Sequence, residues 1–129
     1  MKKPKVDLEP LTDVELEMMT IIWKHGPCTV HQIIEHLPTH RKLAYTSVST
    51  MVRILELKQF VDSKKDGRAH LYQAKVQKEA YEARAVTDVI TKVFEGKPTA
   101  LVRSLISNQL LTKETLEELK KMIEAGKQK

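Results

Sequence analysis

The stretch from Leu43 to Val61 carries the side chains with the clearest chemistry in this sequence, because hydroxyls and cations are concentrated there. No carboxylate occurs between Glu35 and Glu56, whereas a surface helix normally mixes both signs of charge. Hydroxyls and cations bond phosphate oxygens, and a helix N-terminus adds partial positive charge. An acid-free surface of this kind favours a polyanionic partner. Its candidate binding residues are Arg41, Lys42, Tyr45, Thr46, Ser47, Ser49, Thr50 and Arg53.

Apolar residues in the same stretch recur at helical spacing and predict a helix over Thr46–Leu57 with one buried side. The polar residues then occupy the other side, which favours a DNA recognition helix over a merely solvated face. Thr46, Thr50 and Arg53 are the best candidates for contacts in the major groove, and Arg53 is long enough to reach either a phosphate or a guanine edge. Tyr45 is open to two interpretations, a phosphate contact through its hydroxyl or a partly buried packing residue.

Two preceding helices are predicted to position this one. Thr12-Asp13-Val14-Glu15 is a capping box that opens a first helix, and His25-Gly26-Pro27 ends it. Thr29 caps a second, shorter helix over Val30–Leu37, which Pro38 ends. Three helices in this order are typical of a helix-turn-helix unit.

A β-hairpin is predicted directly after the third helix. Phe60–Lys65 and Ala69–Ala74 read as two short strands around Asp66-Gly67, a strong hairpin signal. A hairpin in this position is the wing of a winged helix. Its basic residues, expected to lie against a sugar-phosphate backbone, are Lys64, Lys65, Arg68 and His70. The other interpretation is that the lysines discourage pairing between edge strands of different molecules.

The chain becomes helical again from Val76, with three apolar faces that about 50 residues cannot bury alone. We therefore expect a winged-helix domain over residues 1–76 and a helical dimerisation region over residues 77–129, in a mainly α fold with one small hairpin. The economical partner is the same region of a second copy, giving a two-fold homodimer. The residues expected to dimerise are Leu101, Val102, Leu105, Ile106, Leu116, Leu119, Met122 and Ile123.

Composition bounds the remaining possibilities. The 129 residues carry a net charge of +5, which suits a polyanionic partner. The single Cys28 excludes an internal disulfide and a cysteine-cluster metal site, and His31 with Glu35 supplies only two metal ligands. We expect no metal, no cofactor and no enzyme activity, because phosphate loops and nucleophile motifs are missing. No run suits membrane insertion or a signal peptide, so we expect a cytoplasmic protein with a loose arm over residues 1–10.

Several segments together resemble the BlaI/MecI penicillinase-repressor family. Leu11–Met19, running on to Ile22-Trp23, resembles the family's first-helix signature, and Leu43–Val52 its recognition helix. Asp66–Tyr72 is similar to its wing, and Pro98–Val102 to the start of its dimerisation region. The resemblance runs from about Leu11 to Ile123, with the segments in the family's order.

The resemblance implies a homodimeric winged-helix repressor on a palindromic, double-stranded DNA operator that controls antibiotic-response genes of the β-lactamase type. It also implies release by proteolysis of the dimerisation region, through a membrane sensor-protease that detects β-lactams. The cut in the best-known members falls between Asn and Phe, and the aligned positions here are Ser104 and Leu105. Copper-responsive relatives carry a C-terminal cysteine cluster, which this sequence does not have.

Two alternatives remain open at the level of sequence. The same repressor could respond to a small ligand, bound at the junction of the two regions, instead of to a protease. The winged helix could also be a protein-interaction module, whose Thr/Ser face binds another protein.

Overall fold

A computed structural model describes residues 9–126 of the chain. Most of the arm expected over residues 1–10 lies outside the described residues. The elements, in chain order, are α1 (Asp13–His25), α2 (Val30–Glu35), α3 (Tyr45–Leu57), β1 (Val61–Asp66), β2 (Ala69–Ala74), α4 (Lys78–Val93), α5 (Pro98–Ser107) and α6 (Lys113–Gly126). This order confirms the predicted fold class, which is mainly helical with one hairpin.

Two capping boxes fix where the first helices begin. The Glu15 amide donates to Thr12 Oγ1 at 3.2 Å, and the Thr12 amide donates to the Glu15 carboxylate at 2.9 Å. Thr29 and Gln32 repeat this exchange at the start of α2 with the same two distances. The predicted cap residues are therefore confirmed, although α2 ends at Glu35, two residues before the predicted end.

The core of the winged helix is built from all three helices and both strands. Its buried apolar residues are Met18, Met19, Ile21, Ile22, Cys28, Val30, Ile33, Leu37, Val48, Val52, Leu55, Phe60, Val61 and Tyr72. Leu16 of α1, although apolar, is 37% exposed. Apolar spacing thus identified the buried side of each helix but not the edge of that side.

The hairpin pairs β1 with β2 from Val61↔Ala74 to Asp66↔Ala69. Its loop therefore consists of Gly67 and Arg68, one residue later than the predicted Asp66-Gly67 turn. Gly67 has a φ of +63°, a conformation that side chains with a Cβ seldom adopt, so the position of the glycine decides the position of the turn.

A short bridge between Cys28 and Tyr72, which was not predicted from the sequence, extends this sheet. The Cys28 amide donates to the Tyr72 carbonyl at 2.9 Å, and the Tyr72 amide donates to the Cys28 carbonyl at 2.8 Å. The bridge ties the segment before α2 to β2.

The described chain divides into two compact units, the first ending at Ala85 and the second beginning at Val86, both within α4. The start of α4 packs in the first unit through Tyr81, whose ring lies 5.8 Å from Phe60 and 5.9 Å from Trp23 between centroids. Trp23 Nε1 also donates to the Val76 carbonyl at 2.9 Å. These aromatic contacts explain why the first unit extends past residue 76.

The second unit consists of the rest of α4 with α5 and α6, and none of the described residues of these helices is buried. Its exposed large apolar side chains are Val86, Val89, Val93, Val102, Ile106, Leu110, Leu116, Leu119, Met122 and Ile123. Between residues 9 and 126, no helix is both long and apolar enough to cross a membrane.

Candidate nucleic-acid interface

Helix α3 presents three differently oriented rows of side chains. Val48, Val52 and Leu55 are fully buried. Thr46 and Thr50, four residues apart and both exposed, share the opposite side, as neighbouring positions on a helix do. A flanking row, spaced by four residues, consists of Tyr45, Ser49 and Arg53; it begins next to the buried side at Tyr45 and reaches the outward side at Arg53, three residues after Thr50. The predicted contacts are thus divided between an outward row and a flank.

The N-terminus of α3 is open to an anionic partner. Its N-cap residue, Ala44, makes no side-chain capping bond, and the first turn carries no acid. Ser47 and Lys42 are exposed beside it. The first amides of a helix lack partners within the helix, so this end offers donors together with the positive end of the helix dipole.

Tyr45 is 49% exposed, and its ring lies 4.8 Å from that of His31 on α2 between centroids. It therefore packs on one side and remains accessible on the other, so neither of its two interpretations excludes the other.

A buried ion pair holds the C-terminal end of α3 against α1. Lys58, the C-cap residue of α3, donates through Nζ to Glu15 Oε1 at 2.9 Å, and Glu15 is 3% exposed. Burial alone would raise the pKa of Glu15, but bonds from the Thr12 amide and from Lys58 outweigh it and lower that pKa. The same carboxylate thus caps α1 and anchors the end of α3.

Arg41, in the linker before α3, is paired with α1 instead of being free. Its Nη2 and Nε atoms donate to the two carboxylate oxygens of Glu17 at 3.0 and 3.1 Å. This bidentate pair neutralises part of the positive charge that was predicted for the linker from its lack of acidic residues. Glu17 belongs to α1 and therefore lies outside the acid-free stretch between Glu35 and Glu56.

The wing cations face different ways. Paired residues of a hairpin share a face, so Lys65 and His70 lie on the same face as the buried Tyr72, whereas Lys64 lies on the other. Arg68 occupies the loop, and the side chains of all four residues are exposed.

A notch of about 150 Å³ lies where α3, the start of α2 and the wing meet. It takes in the flanking row of α3, and the charged and titratable side chains that line it are His31, Tyr45, Arg53, Arg68, His70 and Tyr72. Two of the predicted wing cations and the predicted recognition arginine are therefore brought together. His31 belongs to this group although it was considered only as a metal ligand, because the sequence does not show that the start of α2 meets the wing.

A second, larger cleft of about 440 Å³ lies between α1 and the end of α2, lined by residues such as Leu16, Ile21 and Leu37. His25 and His36 stack at its edge with ring centroids 3.6 Å apart. Desolvation, together with the charges of His36 and Lys24, lowers the pKa of His25. None of the predicted DNA-contacting residues lines this cleft.

Two other kinds of site chemistry were considered, a reactive thiol and a metal site. Burial raises the pKa of the Cys28 thiol, which disfavours the reactive thiolate, and Cys28 packs in the core as a small apolar residue. Within residues 9–126, no group of three or more His, Cys, Asp or Glu side chains is placed to hold a metal ion.

The predicted dimerisation residues all lie on α5 and α6. Leu101 and Leu105 are partly buried, whereas the exposed ones are Val102, Ile106, Leu116, Leu119, Met122 and Ile123. The Ser104–Leu105 bond lies inside α5, where Asn108 Nδ2 donates to the Ser104 carbonyl at 2.8 Å.

A family profile and two curated relatives indicate the same family. A profile described as penicillinase repressor matches residues 11–125. The methicillin resistance regulatory protein MecI of Staphylococcus aureus strain N315 is 26% identical over 113 residues, 88% of this chain and 92% of the relative. The penicillinase repressor of Bacillus licheniformis is 25% identical over 117 residues, 91% of each chain.

A solved structure supports the same assignment for the winged helix. The solution structure of the DNA-binding domain of the repressor BlaI is 28% identical, with a TM-score of 0.51, and covers 63% of this chain and 94% of that one. Since the family profile extends over nearly the whole sequence, the chain belongs to the penicillinase repressor family.

Proposed function

We propose that this chain is a transcriptional repressor that binds double-stranded operator DNA with α3 in the major groove and the wing beside the backbone. The acid-free outer side of α3, flanked by the cationic notch and wing, is the observation that carries this proposal. Phosphate contacts would position the protein, and the outward Thr46 and Thr50 would meet base edges. The named functions of the relatives, regulation of methicillin resistance and repression of penicillinase, support it.

The two predicted domains would have different roles. The winged helix, predicted over residues 1–76, would bind one half-site, and the helices of residues 77–129 would dimerise. The exposed apolar side chains of α5 and α6 support dimerisation, because a small unit without buried residues gains its hydrophobic stabilisation from a partner. A two-fold dimer requires a palindromic operator with half-sites about one or two helical turns apart.

Release would follow the route that the family resemblance implies, proteolysis of the dimerisation region between Ser104 and Leu105 after a β-lactam signal. The bond lies within α5, so a protease would need that helix to unwind locally. A small-ligand inducer is the alternative, and the apolar cleft between α1 and α2 supports it by offering space. Cleavage of the chain in induced cells would favour the first route, and release by a ligand without cleavage the second.

We place the protein in the cytoplasm, where its DNA is, and assign it no catalytic role. Relatives of this family are named as repressors and regulators.

The experiment that tests this function is capture of fragments of genomic DNA by the purified full-length protein, followed by footprinting of the enriched fragments. We expect a protected inverted repeat next to the regulated genes. Binding that is equally strong on all fragments would contradict the proposal of an operator.

Salt separates this function from a protein-interaction module. DNA affinity should fall steeply between about 50 and 200 mM salt, because binding releases counterions from the phosphates. A packed protein interface would respond much less.

A further inference from the structure

The notch between α3 and the wing contains an arrangement of charge that the outward side of α3 does not. Arg53 comes from the helix and Arg68 from the hairpin loop, and both line the same space of about 150 Å³. A single water needs only about 10–15 Å³, so the notch has room for a larger polar group. The two arginines are the charged side chains in its lining, which also includes the imidazoles of His31 and His70.

The side chain of Arg53 is directed towards the wing. It follows Tyr45 and Ser49 at intervals of four residues, and all three line the notch, whereas Thr46 and Thr50 do not. Its charge also acts on Tyr72 of β2: burial and the Glu56 carboxylate raise the pKa of Tyr72, and Arg53 opposes the rise. Arg53 therefore lies close to β2.

We propose that this notch binds one phosphate of the DNA backbone between Arg53 and Arg68, so that Arg53 holds a phosphate and reads no base. The proposal rests on the DNA-binding function above. A guanidinium fork matches two phosphate oxygens, and Ser49 and Tyr45 add hydroxyl donors at the same place. Glu56, the acid that acts on Tyr72, accepts a hydrogen bond from Ser63 Oγ at 2.6 Å and is not among the lining residues.

A phosphate held from both elements would fix the position of the wing relative to α3 on the duplex. Contacts of this kind set the register of a protein on DNA, whereas base contacts supply sequence information. Reading of the sequence then falls to the outward row, Thr46 and Thr50. This assignment decides between the two roles that the length of Arg53 left open.

The test uses the full-length protein, its footprinted operator and a scrambled duplex of the same length, with affinities measured by fluorescence anisotropy at several salt concentrations. Arg53→Ala should weaken binding to both duplexes equally, by roughly tenfold, the effect of one charge-assisted hydrogen bond. The slope of log affinity against log salt should fall by about 1. Arg68→Ala should have the same effects, and the double variant should lose less affinity than the product of the two single losses.

Lys24→Ala, which removes an exposed cation outside the notch, is the control.

A second arm locates the phosphate. Each backbone phosphate of the operator is replaced in turn by an uncharged methylphosphonate. In each half-site, one methylphosphonate substitution should weaken binding by the wild-type protein but leave the affinity of Arg53→Ala unchanged. If Arg53→Ala instead lowers the ratio of operator to scrambled affinity, Arg53 reads a base and the proposal is overturned. The proposal is also overturned if every methylphosphonate that weakens binding by the wild-type protein weakens binding by Arg53→Ala as well.

Free phosphate is the other source of the same chemistry. Exchanging chloride for inorganic phosphate at constant ionic strength should change the DNA affinities of the wild-type protein and of Arg53→Ala by the same factor. Selective displacement of the wild-type protein would assign the notch to a free anion and overturn the backbone assignment. Failure of the proposed function would look different, because the wild-type protein itself would then bind both duplexes equally.

Discussion

Glu15 illustrates how one residue connects the sequence to the position of the recognition helix. Its carboxylate is buried, completes the capping box of α1 and accepts the Lys58 ammonium at the end of α3. A buried carboxylate without partners would be strongly destabilising, whereas here the hydrogen bonds compensate for its desolvation. The orientation of α3 therefore depends on a residue that makes no contact with DNA in our proposal.

Glu15→Gln should lower the free energy of unfolding by about 1–3 kcal/mol at neutral pH, because Gln can still cap α1 but leaves the Lys58 ammonium without its charged hydrogen-bond partner. Folding lowers the pKa of Glu15 from its ordinary value of 4.5, so this stabilisation is present above pH 4.5 and lost as the pH falls through the lower, folded-state value. Urea unfolding of both proteins at several pH values measures the difference. It should shrink on acidification.

Glu114→Gln is the matched control, because Glu114 is exposed and lies in the first turn of α6. This variant should match the wild-type protein at every pH. A stability difference for Glu15→Gln that stays constant from neutral pH down to pH 2 would show that the ion pair with Lys58 is not its cause.

The individual contacts of the candidate site were harder to predict than its residue types. Arg41 lies 24 residues from Glu17, and Lys58 lies 43 residues from Glu15. Neither pair produces a local pattern, because both depend on how α1 packs against distant segments. Local sequence shows which cations are present but not which of them are already neutralised.

The elements themselves were largely predictable from sequence, since their signals are local. Thr12 and Thr29 initiate helices through bonds to residues three positions later, and Gly67 fixes the hairpin loop. The Cys28–Tyr72 bridge was not predictable, because one isolated pair has no alternating pattern. The packing of Tyr81 was not predicted for a related reason. Its position beside Phe60 and Trp23 depends on how the start of α4 folds against the winged helix.

The wing shows how the pairing of two strands assigns different roles to neighbouring lysines. Lys65 shares the face of Tyr72 and His70, and Lys64 points to the other face. If the wing lies against DNA with the face that also borders the notch, Lys65→Ala should weaken binding to every sequence and lower the salt slope by about 1.

Lys64→Ala is the matched control for this prediction, since it removes the same charge one residue away. Its effect on affinity and on the salt slope should be clearly smaller than that of Lys65→Ala. Anisotropy titrations with the operator and the scrambled duplex measure both variants. Equal losses would mean that the wing contributes only through its net charge, without a preferred face.

At the scale of the whole molecule, the two units differ in how they bury apolar surface. The winged helix has its own core, whereas α5 and α6 leave Val102, Ile106, Leu119 and Met122 exposed. Each winged helix can offer only one recognition helix, so one copy binds one half-site. Coupling two copies makes the second half-site an intramolecular contact, which raises the affinity for a palindrome without new interactions with DNA.

Leu119→Asp should therefore shift the protein from dimer to monomer, because a charge on the apolar seam of α6, formed by Leu116, Leu119, Met122 and Ile123, would be desolvated in a packed interface. Sedimentation equilibrium measures the dimer, and anisotropy measures affinity for the full operator and for a single half-site. Affinity for the operator should fall at least tenfold, whereas affinity for the half-site should be unchanged. Lys121→Asp, which places the same side chain away from the seam, should remain dimeric. If Leu119→Asp stayed dimeric, the α6 seam would not be the dimer interface, and the exposed residues of α4 and α5 would be the next to substitute.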